Sequence, residues 1–400
     1  MDMAIDFDFK RARRDTPGCE NRVHFNNAGA ALMPAPVINA VIDHLNLEGQ
    51  IGGYEAAEQE HDTIERVYAA AASLIGASRD EIAIVENATR AWDMAFYGIP
   101  FRSGDRVLTS VSEYGSNFIA FLQVAARTGA IIDVIPNDDY GQVSIAALRE
   151  MIDERVKLIA ITHVPTNGGL VNPVAAIGRI AREANVRFLL DACQSVGQLP
   201  INVEEICCDI LSATGRKYLR GPRGTGFLYV RKELIDSLEP PFLDVRSARW
   251  IARDKYDIRH DARRFENWET NYSTKIGLGV AIEYALEWGI EIIRERIITL
   301  AETLRARLMS LNDVIVRDLG LERCGIVSFT VTGIEPEEIK HQLAAESINV
   351  SVSVLRDTLL DMQTREIKSM VRASVHYYNS EDEIRRFCSV LASILHHEHK

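Results

Sequence analysis

Short apolar, β-rich runs alternate with longer amphipathic stretches through the middle of this 400-residue chain. Seven runs read as strands, and they are EIAIVE (81–86), RVLTSV (106–111), IIDVIP (131–136), KLIAIT (157–162), RFLLDA (187–192), DILSAT (209–214) and GFLYVR (226–231). The alternation predicts an α/β fold, in which helices cover both faces of a mostly parallel sheet. Because the link between the last two runs is glycine-rich and too short for a helical crossover, we expect that pair to be antiparallel.

A different pattern follows residue 260. One long helical stretch covers 274–311. The runs that follow it are GIVSFTV (325–331), INVSVS (348–353), MVRASVHYY (370–378) and the helical SEDEIRRFCSVLASILHH (380–397). These runs predict a smaller α+β domain. We therefore expect an N-terminal segment, 1–22, that packs on the small domain, then a large domain, 23–262, and the small domain itself, 263–400.

Charge and composition argue against two classes of partner. The net charge of −12 disfavours a nucleic-acid binder, since phosphate backbones require a basic face. No apolar run approaches the roughly 20 residues that span a bilayer, so we expect no membrane association. The six cysteines are scattered without metal-ligand spacing, which predicts a reduced, cytoplasmic protein without a metal site.

Three polar segments follow predicted strands, where ligands bind in open α/β sheets. Ala88 and Thr89 open a predicted helix, and a helix N-terminus attracts phosphate. Asp191 follows three apolar residues, where a carboxylate requires a cationic or hydrogen-bonding partner. Lys217 lies just beyond the next strand, and beside Arg216 its pKa would be lowered, so that its amine becomes a nucleophile for a carbonyl.

Each segment alone has an ordinary explanation: a capped helix, a capped turn or a solvated lysine. Together they provide an anion site, a carboxylate and an amine, which are the phosphate anchor, pyridinium partner and covalent attachment that pyridoxal phosphate requires. The nearby GPRGTG (221–226) is neither a dinucleotide fingerprint nor a P-loop, because it precedes a strand and lacks the Gly-Lys-Ser/Thr order. We interpret it as adaptable backbone near the lysine.

Eight motifs follow one another along the chain, and they are FNNAGAALMP (25–34), ENATRAW (86–92), SEYGSN (112–117), THVPTNGG (162–169), DACQSVG (191–197), SATGRKYLRGPRGTGFLYV (212–230), RRFENWETN (263–271) and VRASVHYYN (371–379). In this order they resemble the class V aminotransferases, and most of all their isopenicillin N epimerase-like and cysteine desulfurase-like branch. The resemblance covers nearly the whole chain. It implies a fold-type I enzyme with pyridoxal 5'-phosphate as cofactor, and a homodimer with active sites at its interface.

The resemblance also implies the contacts to the cofactor ring. Lys217 would hold the cofactor covalently and, once released, move the proton at the substrate α-carbon. Asp191 would keep the pyridinium nitrogen protonated, and Gln194 would bond the ring hydroxyl. Tyr114, where relatives commonly have histidine, would stack on the ring. Lys217, Asp191 and Tyr114 are thus the predicted catalytic residues.

Phosphate contacts are implied at a second group of residues. Ala88 and Thr89 would hold the phosphate from the helix start, and Thr214 and Arg216 would add contacts. The desulfurase-like pattern has histidine at position 216, so the arginine is a departure from it.

The substrate pocket is implied less completely. Arg372 would bind the substrate carboxylate with its planar fork, and Asn27 or a neighbouring backbone group would line the pocket. A ring-contacting asparagine of the family falls at Thr166 here, with Asn167 shifted by one, and the motif leaves the choice open.

The segment RRFENWETN reaches the neighbouring subunit's cofactor in relatives. Trp268, Glu269 and Thr270 are therefore candidates to act across a dimer interface, with Thr270 taken as the cofactor contact.

The reaction itself is left open by these motifs. We favour a lyase that cleaves the C–S bond of a cysteine conjugate or a similar β-substituted amino acid. The reason is that 349–374, where desulfurases carry a nucleophilic cysteine before the substrate arginine, contains no cysteine. Cys193 is interpreted as core packing. The alternatives are an aminotransferase, an epimerase, or a non-catalytic binding module on the same fold.

Overall fold

The structure, a computed structural model, describes residues 7–398. Its strands, in chain order, are β1 (Val23–His24), β2 (Ile82–Val85), β3 (Arg106–Ser110), β4 (Ile131–Ile135), β5 (Val156–Thr162), β6 (Arg187–Asp191), β7 (Ile210–Thr214), β8 (Gly226–Val230), β9 (Ala248–Ala252), β10 (Lys255–Ile258), β11 (Val314–Val316), β12 (Ile326–Val331), β13 (Ile348–Asn349), β14 (Ser351–Val354) and β15 (Ser369–Ser374). Its helices are α1 (Phe9–Arg14), α2 (Ala35–Ile51), α3 (Gly53–Gln59), α4 (His61–Ile75), α5 (Ala88–Phe96), α6 (Gly115–Thr128), α7 (Ile145–Met151), α8 (Val174–Glu183), α9 (Val203–Ile206), α10 (Lys232–Ile235), α11 (Tyr272–Trp288), α12 (Ile290–Met309), α13 (Pro336–Ala345), α14 (Leu359–Thr364) and α15 (Glu381–Glu398).

The seven predicted strands form one sheet in the order β2-β8-β7-β6-β5-β3-β4. Strands β3 to β7 are parallel to one another, and β8 runs antiparallel to both β7 and β2. The predicted α/β fold and the antiparallel final pair are therefore confirmed. Because β7 and β8 form a reversing pair, residues 215–225 join them by a short link at the carboxyl end of β7, and this link carries Lys217.

Alternate residues of the central strands enter two separate cores, one on each face of the sheet. Leu190 of β6 and Leu211 of β7 belong to one core, while Leu189 and Ile210 belong to the other. This period of two, with both faces apolar, is what a sheet covered by helices on both sides requires. It leaves the strand ends as the place for polar side chains.

A second sheet, with the order β11-β12-β15-β14, is antiparallel throughout. Helices α12 and α13 pack against it. The single helical stretch predicted over 274–311 is two helices, because Gly289 adopts a φ of 82° between α11 and α12. Strand β11 and the hairpin β9–β10 were not predicted.

The boundaries predicted at residues 22 and 262 stay predictions. Strand β1 of the predicted large domain pairs with β13 of the predicted small domain. Helix α11 of the small domain packs against α2 and α4 of the large domain, so the two predicted domains are in contact at two places. Phe7 stacks near Trp288 with ring centroids 5.0 Å apart, and Arg13 bonds Glu383 at 2.8 Å. Residues 1–6 of the predicted N-terminal segment lie outside the described residues.

Arg220 ties distant parts of the chain to the link that carries Lys217. Its guanidinium, almost fully buried, donates to Leu32 O at 2.8 Å, to the Tyr377 hydroxyl at 2.6 Å and to Thr16 Oγ1 at 2.6 Å. Its backbone N–H donates to Lys217 O at 2.9 Å. Four segments that are remote in sequence therefore meet at one side chain.

Across residues 7–398, none of the helices combines the length and the apolar character that crossing a bilayer demands.

Candidate active site

A cavity of about 360 Å³ opens at the carboxyl ends of β5, β6 and β7, the edge of a parallel sheet where ligands bind. Its lining consists of Asn87, Ala88, Thr89, Tyr114, Asn117, Thr162, Val164, Thr166, Asp191, Cys193, Gln194, Thr214, Arg216, Lys217, Gly224 and Thr225. Nine of the predicted site residues are in this set. The volume falls within the range of small-molecule and cofactor sites, roughly 300–1,000 Å³.

Lys217 lies inside this cavity on the link between β7 and β8. Burial lowers the pKa of its amine to about 8, and the positive charge of Arg216 acts in the same direction, while Cys193 and Asp191 oppose the change. Near neutral pH a much larger fraction of this amine is uncharged than of an exposed lysine. It is therefore available to attack a carbonyl group.

Asp191 ends β6 and faces the same space. Its Oδ1 accepts the Cys193 N–H at 2.9 Å, and its Oδ2 accepts from Asn117 Nδ2 at 2.9 Å. The carboxylate is 5% exposed and takes part in no ion pair among the described residues. A buried carboxylate without an ion pair is costly, and a positively charged group bound in the cavity would stabilise it.

Gln194 offers an acceptor that nothing in the described chain satisfies. Its Nε2 donates to Ala28 O at 3.1 Å, and its Oε1 is buried without a partner. Buried polar atoms are rarely left unpaired. A hydroxyl group on a bound molecule would satisfy it.

The start of α5 forms the anion-binding end of the cavity. The Asn87 side chain caps the helix by accepting the Arg90 N–H at 2.9 Å. The N–H groups of Ala88 and Thr89 belong to the first turn, which has no intrahelical acceptors. Gly226 permits this arrangement, because a Cβ there would lie 2.9 Å from Asn87 C and 2.7 Å from Ala213 O.

Arg216 and Thr214 lie at the same cavity, as predicted by position. Arg216 Nη1 donates to Gly29 O at 2.8 Å, and burial lowers the pKa of its guanidinium. Thr214 Oγ1 lies 3.4 Å from Thr225 O. Their contact with phosphate stays a prediction.

Between Thr166 and Asn167, the structure places Thr166 in the cavity. Asn167 is buried and its Nδ2 donates to Asp361 at 2.7 Å. Thr166 Oγ1 accepts from Arg372 Nη1 at 2.9 Å, and Thr166 O accepts from the same nitrogen at 2.6 Å. Thr166 thus joins the predicted carboxylate-binding arginine to the cavity wall.

Arg372 lies behind that wall instead of among the lining residues. Its Nε donates to Ser351 Oγ at 3.1 Å, so three hydrogen bonds to Ser351 and Thr166 fix the guanidinium plane, and no hydrogen bond among the described residues engages Nη2. Burial lowers the pKa of Arg372. Tyr114 lines the cavity at the position that precedes α6.

Two further predicted residues, in addition to Arg372, do not line this cavity. Asn27 is fully buried, and its amide is occupied by Ser374 O at 2.7 Å, His24 O at 3.1 Å and the Tyr378 hydroxyl. The substrate contact expected of Asn27 or of a neighbouring backbone group stays a prediction. Thr270 lines a separate cavity of about 190 Å³, together with Trp268. Within one chain it lines a different cavity from Lys217.

Asn117 and Thr162 were missed by the sequence analysis. Asn117 is the last residue of the motif SEYGSN, and Thr162 ends β5, so their positions carried a signal that was not used.

The residues of the cavity fit pyridoxal phosphate. The unpaired carboxylate of Asp191 suits a pyridinium nitrogen, the orphaned Oε1 of Gln194 suits the ring hydroxyl, the start of α5 suits the phosphate, and Lys217 suits the aldehyde. With the seven-stranded sheet that positions them, they define a fold-type I enzyme that depends on pyridoxal phosphate.

Comparison with known proteins specifies the family. Residues 23–387 match the aminotransferase class-V family, and the chain belongs to it. A probable cysteine desulfurase of Methanothermobacter thermautotrophicus is 29% identical over 389 residues, which is 96% of this chain and 97% of the relative. A probable cysteine desulfurase of Xylella fastidiosa (strain Temecula1) is 30% identical over 410 residues, covering 97% of this chain and 95% of the relative. The apo structure of a cysteine desulfurase from Thermococcus onnurineus is 28% identical, with a TM-score of 0.90 over 96% of this chain and 97% of that one.

Proposed function

We propose that this enzyme is a C–S lyase that removes the sulfur substituent from cysteine or a cysteine conjugate. The observation that carries the proposal is the amine of Lys217, buried with a pKa of about 8 in the cavity that Asp191 also lines. The relatives named as cysteine desulfurases support sulfur-bearing amino acids as the substrate class.

Formation of a persulfide on the enzyme is not part of the proposal. The chain from Asn349 to Ser374 contains β14, α14 and β15 but no cysteine. Cys193 lines the cavity, but burial raises the pKa of its thiol well above the usual value, and the charge of Asp191 adds to the effect. A thiol in this state is a poor nucleophile, so the sulfur must leave with the substrate's own substituent.

Lys217, Asp191 and Arg372 each have a proposed task. Bound pyridoxal phosphate supplies an electron sink for the pair released at the substrate α-carbon. Lys217 Nζ accepts the α-proton, because its lowered pKa keeps a fraction of the amine uncharged. Arg372 holds the α-carboxylate through the free Nη2 side of its guanidinium, and Asp191 provides the buried negative charge opposite the ring nitrogen.

The reaction balances as a β-elimination followed by hydrolysis. The bond between Cβ and sulfur breaks and its electron pair leaves with sulfur as a thiolate, which is then protonated. One water molecule is consumed as the remaining three-carbon unit becomes pyruvate and ammonium.

Product analysis tests this proposal. Purified enzyme supplied with pyridoxal phosphate is incubated with S-substituted L-cysteines, and pyruvate and thiol are measured. Pyruvate and thiol in equal amounts are expected. Conversion of a 2-oxo acid into an amino acid would indicate an aminotransferase instead, and loss of α-deuterium without pyruvate would indicate an epimerase.

We further propose that the active form is a homodimer. Large apolar side chains between β8 and α11 are exposed to solvent. The exposed fraction is 71% for Val245, 79% for Trp250 and 54% for Trp268. Exposed patches of this kind mark protein–protein contacts. Thr270 lies in the same stretch, away from its own chain's Lys217, so a second copy is the natural place for its predicted cofactor contact.

A further inference from the structure

Glu113 is a buried carboxylate that lies between two strands of the large sheet without lining the active-site cavity. It is 3% exposed. Oε1 accepts from Tyr114 N at 3.0 Å, Asn117 Nδ2 at 2.9 Å and Thr162 Oγ1 at 2.5 Å, and Oε2 accepts from Thr109 Oγ1 at 3.1 Å and Thr162 N at 3.2 Å. These donors come from the ends of β3 and β5 and from the start of α6. One side chain therefore fixes three elements at the edge that carries the cavity.

Asn117 connects this carboxylate to the catalytic one. Its single Nδ2 donates both to Glu113 Oε1 and to Asp191 Oδ2, each at 2.9 Å. An amide nitrogen has two hydrogens, so both are used and the amide plane is determined by the two carboxylates together. The orientation of Asp191 thus depends on where Glu113 lies.

We propose that Glu113 is a positioning residue for the cofactor site: through Asn117 it orients the carboxylate of Asp191 and places a second negative charge behind it. This inference rests on the proposed pairing of Asp191 with the cofactor nitrogen. A second negative charge there strengthens the preference of the site for a positively charged ring.

The charge of Glu113 can change near neutral pH. Burial raises the pKa of Glu113 to about 7; the hydrogen bonds from Thr162 and Asn117 lower it, and the charge of Asp191 raises it. The groups that face it are Thr109 on β3, Thr162 on β5, Tyr114 and Asn117 at α6, and Asp191 on β6. The threonine hydroxyls can rotate to accept a hydrogen bond from the protonated carboxyl group as readily as they donate one to the carboxylate, so the site accommodates both forms.

The test is a pH titration of the absorbance of bound cofactor in Glu113→Gln and Asn117→Ala, measured beside the wild type. Glu113→Gln removes the charge and keeps the size, so the midpoint of the absorbance change should move to lower pH by roughly one unit. Asn117→Ala, which cuts the connection while keeping both carboxylates, should also move the midpoint. In Glu113→Gln the turnover number kcat should fall roughly tenfold or more, which is the usual loss when a residue that orients a site residue is replaced. KM should change little, because Glu113 does not reach the cavity.

Glu383→Gln is the matched control, since Glu383 is 8% exposed and bonded to Arg13 and Asn379, far along the chain from this site. It should leave the midpoint unchanged. Unmoved midpoints in both Glu113→Gln and Asn117→Ala overturn the inference, and so does a shift in Glu113→Gln alone, which would mean that Asn117 is not the connection. A wild-type protein without cofactor absorbance would contradict the proposed function itself, and this result is distinct from the two outcomes for the variants.

Discussion

Among the described residues, the amines of Lys217 and Lys275 share a lowered pKa, and only Lys217 lies in the candidate active site. Burial lowers the pKa of both Lys217 and Lys275 to about 8. Lys275 donates to the Tyr68 hydroxyl at 2.7 Å and lines the smaller cavity beside Thr270. A lowered pKa alone therefore does not distinguish the two amines, and it is the neighbouring carboxylate and the proposed phosphate cradle that favour Lys217 as the reactive one.

Borohydride reduction of the cofactor-loaded protein, followed by peptide mapping, should place the pyridoxyl mass on Lys217 and leave Lys275 unmodified. Lys217→Ala should abolish turnover, because both the attachment point and the proton acceptor are lost. Lys275→Ala should retain the pyridoxyl label at position 217. A label on Lys275 in the wild type would contradict the assignment.

Arg372→Lys should raise KM for the amino-acid substrate by roughly tenfold or more, since a charge-assisted, two-point contact contributes about 1.5–3 kcal/mol. An ammonium group cannot reproduce the planar fork that Thr166 and Ser351 hold in place. Steady-state kinetics measures the change. Arg231→Lys, at the far end of β8 and paired with Asp209, serves as the control and should leave KM unaltered. Equal KM values for the wild type and both variants would show that the substrate carboxylate does not bind at Arg372.

At the scale of elements, the start of α5 depends on how closely β8 can approach it. A Cβ at Gly226 would meet Ala213 O at 2.7 Å, Asn87 C at 2.9 Å and Ala88 N at 3.1 Å. All three are backbone atoms and cannot rotate away. The helix start and the strand are therefore in contact only because this residue has no side chain.

Gly226→Ala should weaken cofactor binding and lower the free energy of unfolding by about 1–3 kcal/mol, the usual effect of overpacking. Gly49→Ala in α2 is the control, because a Cβ there meets nothing within 4 Å. That variant should be more stable by about 0.5–1 kcal/mol. An absorbance titration with pyridoxal phosphate and a urea denaturation series measure the two effects, and unchanged cofactor affinity in Gly226→Ala would disprove the proposed phosphate cradle.

The sequence was sufficient for the large sheet because its strands are buried on both faces and separated by amphipathic helices. It failed where the pattern is weaker. Residues 248–258 form a hairpin whose side chains are mostly exposed, so no alternation marks it. The role of Glu113 was not visible, since its partners Thr109 and Thr162 are on different strands and meet only in the folded sheet. The motif alone placed Asn27 or a neighbouring backbone group at the substrate pocket, which stays a prediction, and it gave no sign that the Asn27 amide donates to His24 O and Ser374 O.

At the scale of the whole molecule, the proposed dimer accounts for apolar surface that a single chain leaves in water. Trp250 on β9 and Tyr256 on β10 are 79% and 57% exposed on the same hairpin. Trp268 is linked to the segment before that hairpin, because its backbone N–H donates to Asp244 Oδ2 at 2.7 Å. The hairpin and the Thr270 segment would therefore meet the second copy together.

Trp250→Glu should convert the dimer into monomers and reduce activity, since each site would lose the predicted Thr270 contact from its partner. Folding should be preserved because the side chain touches little of its own chain. Sedimentation velocity and kcat measure the two effects. Leu321→Glu, at a residue 64% exposed between β11 and β12, is the control and should remain dimeric; a wild type that sediments as a monomer with full activity would rule out the shared site.

The anchoring of Arg220 has a consequence for biosynthesis. Its guanidinium is held by Thr16 and by Tyr377, which are far apart along the chain, while its backbone steadies the loop that carries Lys217. A buried guanidinium lacking either hydroxyl is costly, so the loop should reach its final conformation only after Tyr377 has been synthesised. A ribosome-bound nascent chain that stops short of Tyr377 should therefore hold vitamin B6 less firmly than one that includes it.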